Sequence, residues 1–517
     1  MLDFFIFKYF LVEIFLFFCI IVLVFYKFSF KERFTHEYSI VFLLYSIFSL
    51  LIAVYLLNLI SNLSIPLIEE SYKSFFVINQ KVIFMKYNVL FIAISCLILF
   101  RDSLNKSRTN CLEYFIFYLF TILVCLFVLM VNLVNVLYFL SSLLFLEFLG
   151  FCFYILSSFN YTNGGFLVFR FIYKRKLFLI STVFSLLGII FFKIYYFILG
   201  YSVTLIKGTI YYDYFYTSFV GIYYPFFSFI GIFFLIISLF IKMVVYYSPT
   251  EFIYYQKTPV ISIIFMHLIP KIIFFYFMVE LILNNSLFHI WEEYISVLIL
   301  SLSFICLVIS IGMRRLFLKH FLEYLALVNS GYLLLGFISL NSKSLFYCLI
   351  FCYFYIFVIW LYGGVVLFFD NQVNPGIRIS LDSMLFEIEK RDYYSIIGSM
   401  VVFLFFGLVP TRRDYPCSRG IPFNGIILQF IILLSLWLNQ MYLVFMFLLF
   451  FNYILFFFFI WTILPFWYER KDLIYKKYCE WLNLLIVEFC IFYNFLFLLS
   501  FQFDNSFFKG LSKSYLN

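Results

Sequence analysis

Four ionisable residues lie inside long apolar stretches of the sequence, where a charged side chain is costly and points to a functional site. Glu147 is in YFLSSLLFLEFLGFCFYIL, Lys242 is in FFLIISLFIKMVVYY, and His267 and Lys271 are in VISIIFMHLIPKIIFFYFM. How tightly a buried lysine holds its proton depends on whether a carboxylate is close, so moving the carboxylate moves the proton. Glu147, Lys242 and Lys271 are therefore candidate proton-relay residues. A static Glu–Lys pair that joins two helices is the alternative.

His267 precedes Lys271 by four residues, which places both on one face of a helix. Imidazole changes its charge near neutral pH and can pass protons, so His267 is a fourth candidate relay residue. A hydrogen-bonded structural histidine is the alternative. The remaining histidines, His36, His289 and His320, make no repeated pair on two helices, so a haem-bearing respiratory subunit is excluded.

Three further charged residues lie in the first and third apolar stretches. Lys8 and Glu13 are in the opening half of the first stretch, and Lys86 is near an end of the third. Side chains in such positions reach toward the headgroups or pair locally, and this is the interpretation that we favour over a functional one. The other charged residues within apolar stretches are Lys193, Glu280 and Glu488.

The composition dictates which elements carry these residues. Of 517 residues, 66% are hydrophobic and 12% charged, whereas a soluble protein is about one quarter charged. Because unbroken apolar runs of this kind satisfy their backbone in lipid only as helices, the sequence predicts an all-α, polytopic transmembrane bundle of about 14 spans. The candidate spans are 4–26, 38–60, 82–100, 112–131, 134–159, 177–200, 226–247, 259–284, 291–313, 321–340, 344–368, 395–411, 424–439, 441–465 and 478–502.

Several prolines lie at or within the apolar stretches: Pro249, Pro259, Pro270, Pro410 and Pro422. Proline removes a backbone donor and breaks or kinks a helix. Within a membrane, broken helices are tolerated where they line a polar cavity. The sequence therefore predicts helix discontinuities beside Lys242 and Lys271.

Charge and cysteine content exclude other classes. The net charge of +9 is typical of loop lysines and arginines beside anionic lipid, and the basic groups are too short to bind nucleic acid. The 11 cysteines are scattered, without the spacing of an iron–sulfur or zinc site. We therefore expect no iron–sulfur or zinc site in this chain.

Four blocks of sequence resemble subunit 2 of respiratory complex I, the proton-pumping NADH:ubiquinone oxidoreductase, which belongs to the antiporter-like group of membrane subunits. YFLSSLLFLEFLGFCFYIL matches the family's fifth helix, with its glutamate at Glu147. The segment 240–271 matches the family's phenylalanine–lysine, proline loop and proline–lysine, so Lys242 and Lys271 correspond to the two central lysines.

The third block, IGMRRLFLKHFLEYLALVNSGYLLLG, has Lys319, Tyr324, Gly331 and Tyr332 in register with the family, and the fourth is GIPFNGIILQF. The chain departs from the family at Lys257, His320 and Asn329. The family's terminal lysine falls on Gln429, or on Cys417 in an alternative register, so that lysine is absent.

The resemblance implies an antiporter-like fold with helices broken near 242–259 and 407–425, and redox-coupled proton translocation in the mitochondrial inner membrane. Glu147 would modulate the pKa of Lys242, and Lys271 would pass the proton laterally. The chain itself would hold no metal and no cofactor, because NADH, flavin and iron–sulfur clusters belong to other subunits. The implied partners are other complex I membrane-arm subunits, cardiolipin and other lipids, and other respiratory complexes in supercomplexes. We expect N-terminal transmembrane helices over 1–110, a proton-translocating core over 111–465 and a C-terminal helix and tail over 466–517.

Two other functions agree with the same residues. An independent cation/proton antiporter would share Glu147, Lys242 and Lys271. An antiporter-like scaffold that has lost pumping would account for Gln429.

Overall fold

The computed structural model describes the chain in separate stretches. The longer ones contain six helices and parts of two more. The described residues are 10–29, 36–62, 80–107, 112–131, 145–153, 155–156, 182–184, 186–187, 190, 230–231, 233–234, 236–238, 240, 260–284, 292–312, 329–338, 348, 352 and 446.

Six long helices form where the sequence has its long apolar runs. They are α1 (Leu11–Ser29), α2 (His36–Asn62), α3 (Gln80–Ser107), α4 (Leu112–Met130), α5 (Val260–Asn284) and α6 (Glu292–Gly312). Residues 145–153 and Asn329–Ile338 are shorter helical stretches within predicted spans. The prediction of an all-α, polytopic membrane protein is confirmed.

The helices extend past the predicted spans at several ends. α3 ends at Ser107, whereas its predicted span ends at residue 100. The added residues, RDSLNKS, are polar. Hydropathy marks the part of a helix that lies in hydrocarbon, but backbone hydrogen bonding continues into the polar interface, so the two ends need not coincide.

The first four helices form an up-and-down bundle. α1 packs against α2 and α4, and α3 packs against α2 and α4. The start of α1 lies beside the start of α3, and the end of α1 lies beside the start of α4. Helices that follow one another in this bundle therefore run in opposite directions. Four side-chain contacts determine which helix ends meet: Tyr26–Phe42, Ser61–Tyr87, Lys27–Glu113 and Glu13–Lys86.

Polar side chains within the bundle bond to backbone carbonyls. The Tyr118 hydroxyl donates to the Ala93 carbonyl oxygen at 2.8 Å, which joins α4 to α3. The Tyr45 hydroxyl donates to the Cys19 carbonyl at 3.3 Å, which joins α2 to α1. In hydrocarbon an unsatisfied polar group costs several kcal/mol, so bonds of this kind let hydroxyls lie among apolar side chains.

The outward faces of the bundle are apolar. Phe17, Phe18 and Phe25 on α1 and Phe48 on α2 are each more than half exposed. By length and composition, three helices among the described residues can cross a membrane: α1, the Ile40–Ser61 part of α2, and α4. The apolar helices and their exposed apolar faces therefore indicate a membrane location.

α5 packs against α3 and α4 and contains Pro270 in its middle. The sequence predicted a discontinuity at this proline, but the helix is continuous from Val260 to Asn284. One proline removes a single N–H donor, and neighbouring transmembrane helices support the remaining turns. The breaks predicted near 242–259 and 407–425 lie outside the described residues.

The chain divides into two compact units, Met1–Ser248 with Lys257–Ile295, and Pro249–Gln256 with Ser296–Asn517. In the second unit Gly336 lies close to Cys348. A Cβ at this position would lie 2.8 Å from both Cβ and Sγ of Cys348, so Gly336 leaves room for a buried neighbour. Small residues allow such close contact between membrane helices. The boundaries predicted near residues 110 and 465 stay predictions.

Candidate proton-transfer site

α5 carries two of the four predicted site residues. His267 is fully buried and Lys271 is 3% exposed. Their spacing of four residues places them on one face of the helix, where the lysine charge acts on the imidazole. A buried basic pair of this kind can hold and pass a proton, provided that a carboxylate or water compensates its charge.

An aromatic cluster holds this helix against its neighbours. Phe265 is fully buried and lies six residues before Lys271 and two residues before His267 on the same helix. Its ring centroid lies 4.3 Å from that of Tyr118 on α4 and 6.0 Å from that of Phe153. Sequence reasoning missed this cluster because aromatic residues are so frequent in the chain that no single one stands out.

Glu147 lies in the helical stretch 145–153, which runs beside α4. The stretch is held at one end by Phe145, stacked on Phe127 at 6.1 Å, and at the other by Phe153, which contacts Phe265. Glu147 itself is partly buried. The aromatic cluster thus connects the stretch that carries Glu147 to the helix that carries His267 and Lys271. Lys242, the fourth predicted residue, lies outside the described residues.

A second charged site joins Glu13 on α1 to Lys86 on α3. The Lys86 Nζ atom donates to Glu13 Oε1 at 2.5 Å, and the two side chains are 2% and 1% exposed. The interpretation of these residues as headgroup-seeking is wrong, because both are buried. They do pair, but with each other across 73 positions of sequence. Lys8 lies outside the described residues.

The groups around this pair supply few hydrogen bonds. Lys86 Nζ also lies 2.9 Å from the Met130 Sδ atom at the end of α4. A thioether sulfur is a weak acceptor, whereas an ammonium has three donors to satisfy. Among the described residues, the other oxygen of the carboxylate, Glu13 Oε2, has no hydrogen-bond partner.

The opposite end of the bundle carries an ion pair of a different kind. Lys27 Nζ on α1 lies 2.7 Å from Glu113 Oε1 on α4, with side chains 43% and 36% exposed. Water and salt screen such a pair, so it contributes little to stability. Both pairs join helices of the same four-helix bundle and differ mainly in burial. Lys27–Glu113 is therefore a matched control for Glu13–Lys86.

The residues of the third resembling block are only partly described. Asn329, where the family has histidine, is 8% exposed, and Tyr332 is 1% exposed in the same helix. Lys319, Tyr324, Gln429 and Cys417 lie outside the described residues. Whether another group substitutes for the absent terminal lysine therefore stays a prediction.

The fold has known relatives, although the sequence matches no family model and no curated protein. A chain of respiratory complex I from Thermus thermophilus with bound aureothin aligns at a TM-score of 0.59 and 14% identity, covering 93% of this chain and 95% of that one. A complex I chain from the same organism with bound NADH aligns at 0.56 and 12%, covering 98% and 99%.

The Mrp complex from Dietzia sp. DQ12-45-1b also contains a similar chain. It aligns at a TM-score of 0.61 and 11% identity, covering 88% of this chain and 79% of that one. Identities this low establish a shared fold only. The protein therefore has the antiporter-like membrane fold that these complexes share.

Proposed function

We propose that the protein is subunit 2 of the membrane arm of respiratory complex I and that it takes part in redox-coupled proton translocation. The observation that carries this proposal is the length of the structural match, because it covers 95% of one Thermus thermophilus complex I chain and 99% of the other. The four resembling blocks, which include Lys242 and Lys271, support the same assignment.

The proposed roles come from the resemblance, and the positions of His267, Lys271 and Glu147 support them. Lys271 and His267 are buried together on α5, and Glu147 is in a stretch held to α5 through Phe265. In the proposal, Glu147 modulates the proton affinity of Lys242, and Lys271 receives the proton and passes it on, with His267 as an accessory group. The chain then works as part of an oxidoreductase while other subunits carry the redox cofactors.

The proposed setting is the mitochondrial inner membrane. Other membrane-arm subunits would cover part of the apolar surface, and cardiolipin and other lipids would cover the rest. Supercomplex partners would bind outside the complex I assembly.

The second candidate function is a subunit of a cation/proton antiporter. The observation that favours it is the TM-score of 0.61 to a chain of the Mrp complex. Against it, the match leaves about one fifth of that chain uncovered, whereas the complex I chains are matched nearly end to end. A scaffold without pumping remains the third candidate, because the terminal family lysine is absent.

Co-purification tests the assignment to complex I. The tagged protein, extracted from its native membranes in a mild detergent, is expected to migrate on a native gel with NADH dehydrogenase activity and with redox-carrying subunits. The same gel probed after extraction in a harsher detergent provides the control, since the activity and the tag should then separate. A tagged oligomer that carries no NADH dehydrogenase subunits would contradict the proposal and favour the antiporter.

Substitution of the central lysines tests the pumping role. Lys242→Ala and Lys271→Ala are each expected to abolish proton translocation while the subunit still assembles, because each removes a proton-carrying group without removing a helix. The measurement is the proton-to-electron ratio in sealed vesicles, with Lys27→Ala as the control at an exposed lysine. An unchanged ratio in both lysine variants would favour the scaffold.

A further inference from the structure

The Glu13–Lys86 pair has unused hydrogen-bonding capacity in a buried place. Lys86 donates to Glu13 Oε1 and to the weak acceptor Met130 Sδ, and Glu13 Oε2 accepts no hydrogen bond from the described residues. A buried ion pair is stable only when its remaining donors and acceptors are satisfied. Here the charged form is therefore stabilised little beyond the mutual attraction of the two groups.

Among the described side chains, no third charged group lies beside the pair to hold the shared proton on Lys86 or on Glu13. The titratable groups on the surrounding helices bond elsewhere or lie at other levels: Tyr45 bonds to α1, Tyr118 bonds to α3, and Glu113 pairs with Lys27 at the far end. In the described part of the chain, neither Glu13 nor Lys86 contacts a second ionisable group. The remaining titratable residues of α1 to α4 with described side chains are Cys19, Tyr26, Tyr55, Tyr87, Cys96, Tyr114 and Cys125.

A structural role alone accounts poorly for this arrangement. Replacing a buried ion pair with apolar residues of similar volume is often neutral or stabilising. In a bilayer the apolar alternative is favoured further, since lysine and glutamate at membrane depth are costly. Burial of the pair thus costs more free energy than its contribution to helix packing returns, as is typical of functional groups.

We propose that Glu13 and Lys86 form a proton-exchange site, separate from Glu147, Lys242 and Lys271, at the end of the bundle where α1 and α3 begin. The site cycles through three states. A proton from hydronium binds the free oxygen, Glu13 Oε2, so that the carboxylate becomes a carboxylic acid and the ion pair is lost.

The next two steps return the site to its starting state. The Lys86 ammonium loses one proton to water as an Nζ–H bond breaks, which leaves a neutral amine beside the acid. The acid proton then transfers to Nζ and restores the ammonium and the carboxylate. Each cycle takes up one proton and releases one.

The position of Lys86 connects this site to the rest of the protein. α3 carries Lys86 and packs against α5, the helix that contains His267 and Lys271. In the proposal, a change in the charge of Lys86 acts through this packing on α5, the helix that carries Lys271. This physiological role rests on the proposed function, whereas proton exchange at the pair does not.

Infrared difference spectroscopy tests the exchange directly. The purified full-length protein in lipid nanodiscs, compared between neutral and acidic buffer, is expected to show a carboxylic acid carbonyl band that disappears in Glu13→Gln. The matched control, Glu113→Gln, should keep the band. If Glu13→Gln does not fold, Glu13→Asp keeps the carboxyl group and must shift the band. A spectrum with no band that responds to either substitution at Glu13 overturns the proposal.

A double variant separates exchange from a static contact. Glu13→Gln/Lys86→Met keeps the volume of both side chains, so it should fold like the wild type. It is expected to take up about one proton fewer per chain in a pH-jump measured with an indicator dye. Lys27→Met, which leaves every carboxyl group in place, is the control at the exposed pair and should keep the wild-type uptake. Uptake equal to that of the wild type would mean a static contact and refute the exchange.

The two proposals fail in different ways. A protein that does not co-purify with NADH dehydrogenase contradicts the complex I assignment and leaves the Glu13 band unaffected. A missing Glu13 band contradicts proton exchange at this pair and leaves the complex I assignment unaffected.

Discussion

Lys86→Met is expected to destabilise the protein by about 3–5 kcal/mol, because it leaves the Glu13 carboxylate buried without its partner. Glu13 is 1% exposed, so the water that reaches the pair during proton exchange is too little to compensate for the lost ammonium. The carboxyl group can lose its charge by binding a proton, but it then lacks the hydrogen bond that Lys86 donated.

The measurement is thermal unfolding of the full-length protein in lipid nanodiscs, supported by the yield of monodisperse protein. Lys27→Met provides the matched control, since its partner Glu113 is partly exposed and stays hydrated, and about 0–1 kcal/mol is expected there. Glu13→Gln/Lys86→Met should recover most of the loss. Equal stability of the single Lys86 variant and the wild type would show that the pair is hydrated.

Phe265→Ala is expected to cost about 3–5 kcal/mol, because it opens a cavity where three helical stretches meet. The ring is fully buried and contacts Tyr118 at 4.3 Å and Phe153 at 6.0 Å. Since these contacts hold α5 beside the stretch that carries Glu147, proton translocation should fall together with stability. Unfolding and the proton-to-electron ratio are both measured on the variant.

Phe91→Ala is the control for this substitution. Phe91 is also a helical phenylalanine, but it is 61% exposed on α3, where lipid can fill the vacated space. We expect it to leave both unfolding and proton translocation close to those of the wild type. Similar losses in the two variants would indicate a general effect of removing an aromatic ring.

The membrane helices could be predicted from the sequence because hydrocarbon permits few backbone structures. Long apolar runs must be helical there, and each of α1 to α6 overlaps a predicted span. The exact ends were less predictable, as α3 shows, because helices continue into the polar interface. Pro270 misled the prediction because a single proline weakens a helix without necessarily ending it.

The candidate site was predictable only in part. His267 and Lys271 were found because their charge contrasts with their neighbours and their spacing is helical. The pairing of Glu13 with Lys86 depends on contacts between distant segments, which spacing alone does not reveal. One signal was present, however: in an up-and-down chain the first and third spans begin on the same side, so opposite charges near those starts can meet.

The contact between Gly336 and Cys348 has a consequence for the evolution of this chain. Most lipid-facing positions can exchange one apolar side chain for another at little cost, and the abundance of phenylalanine is in keeping with such freedom. Position 336 has no such freedom, because even a methyl group would lie 2.8 Å from two atoms of Cys348. Among divergent homologues, we therefore expect position 336 to keep a small residue, even where most of the surrounding sequence has changed.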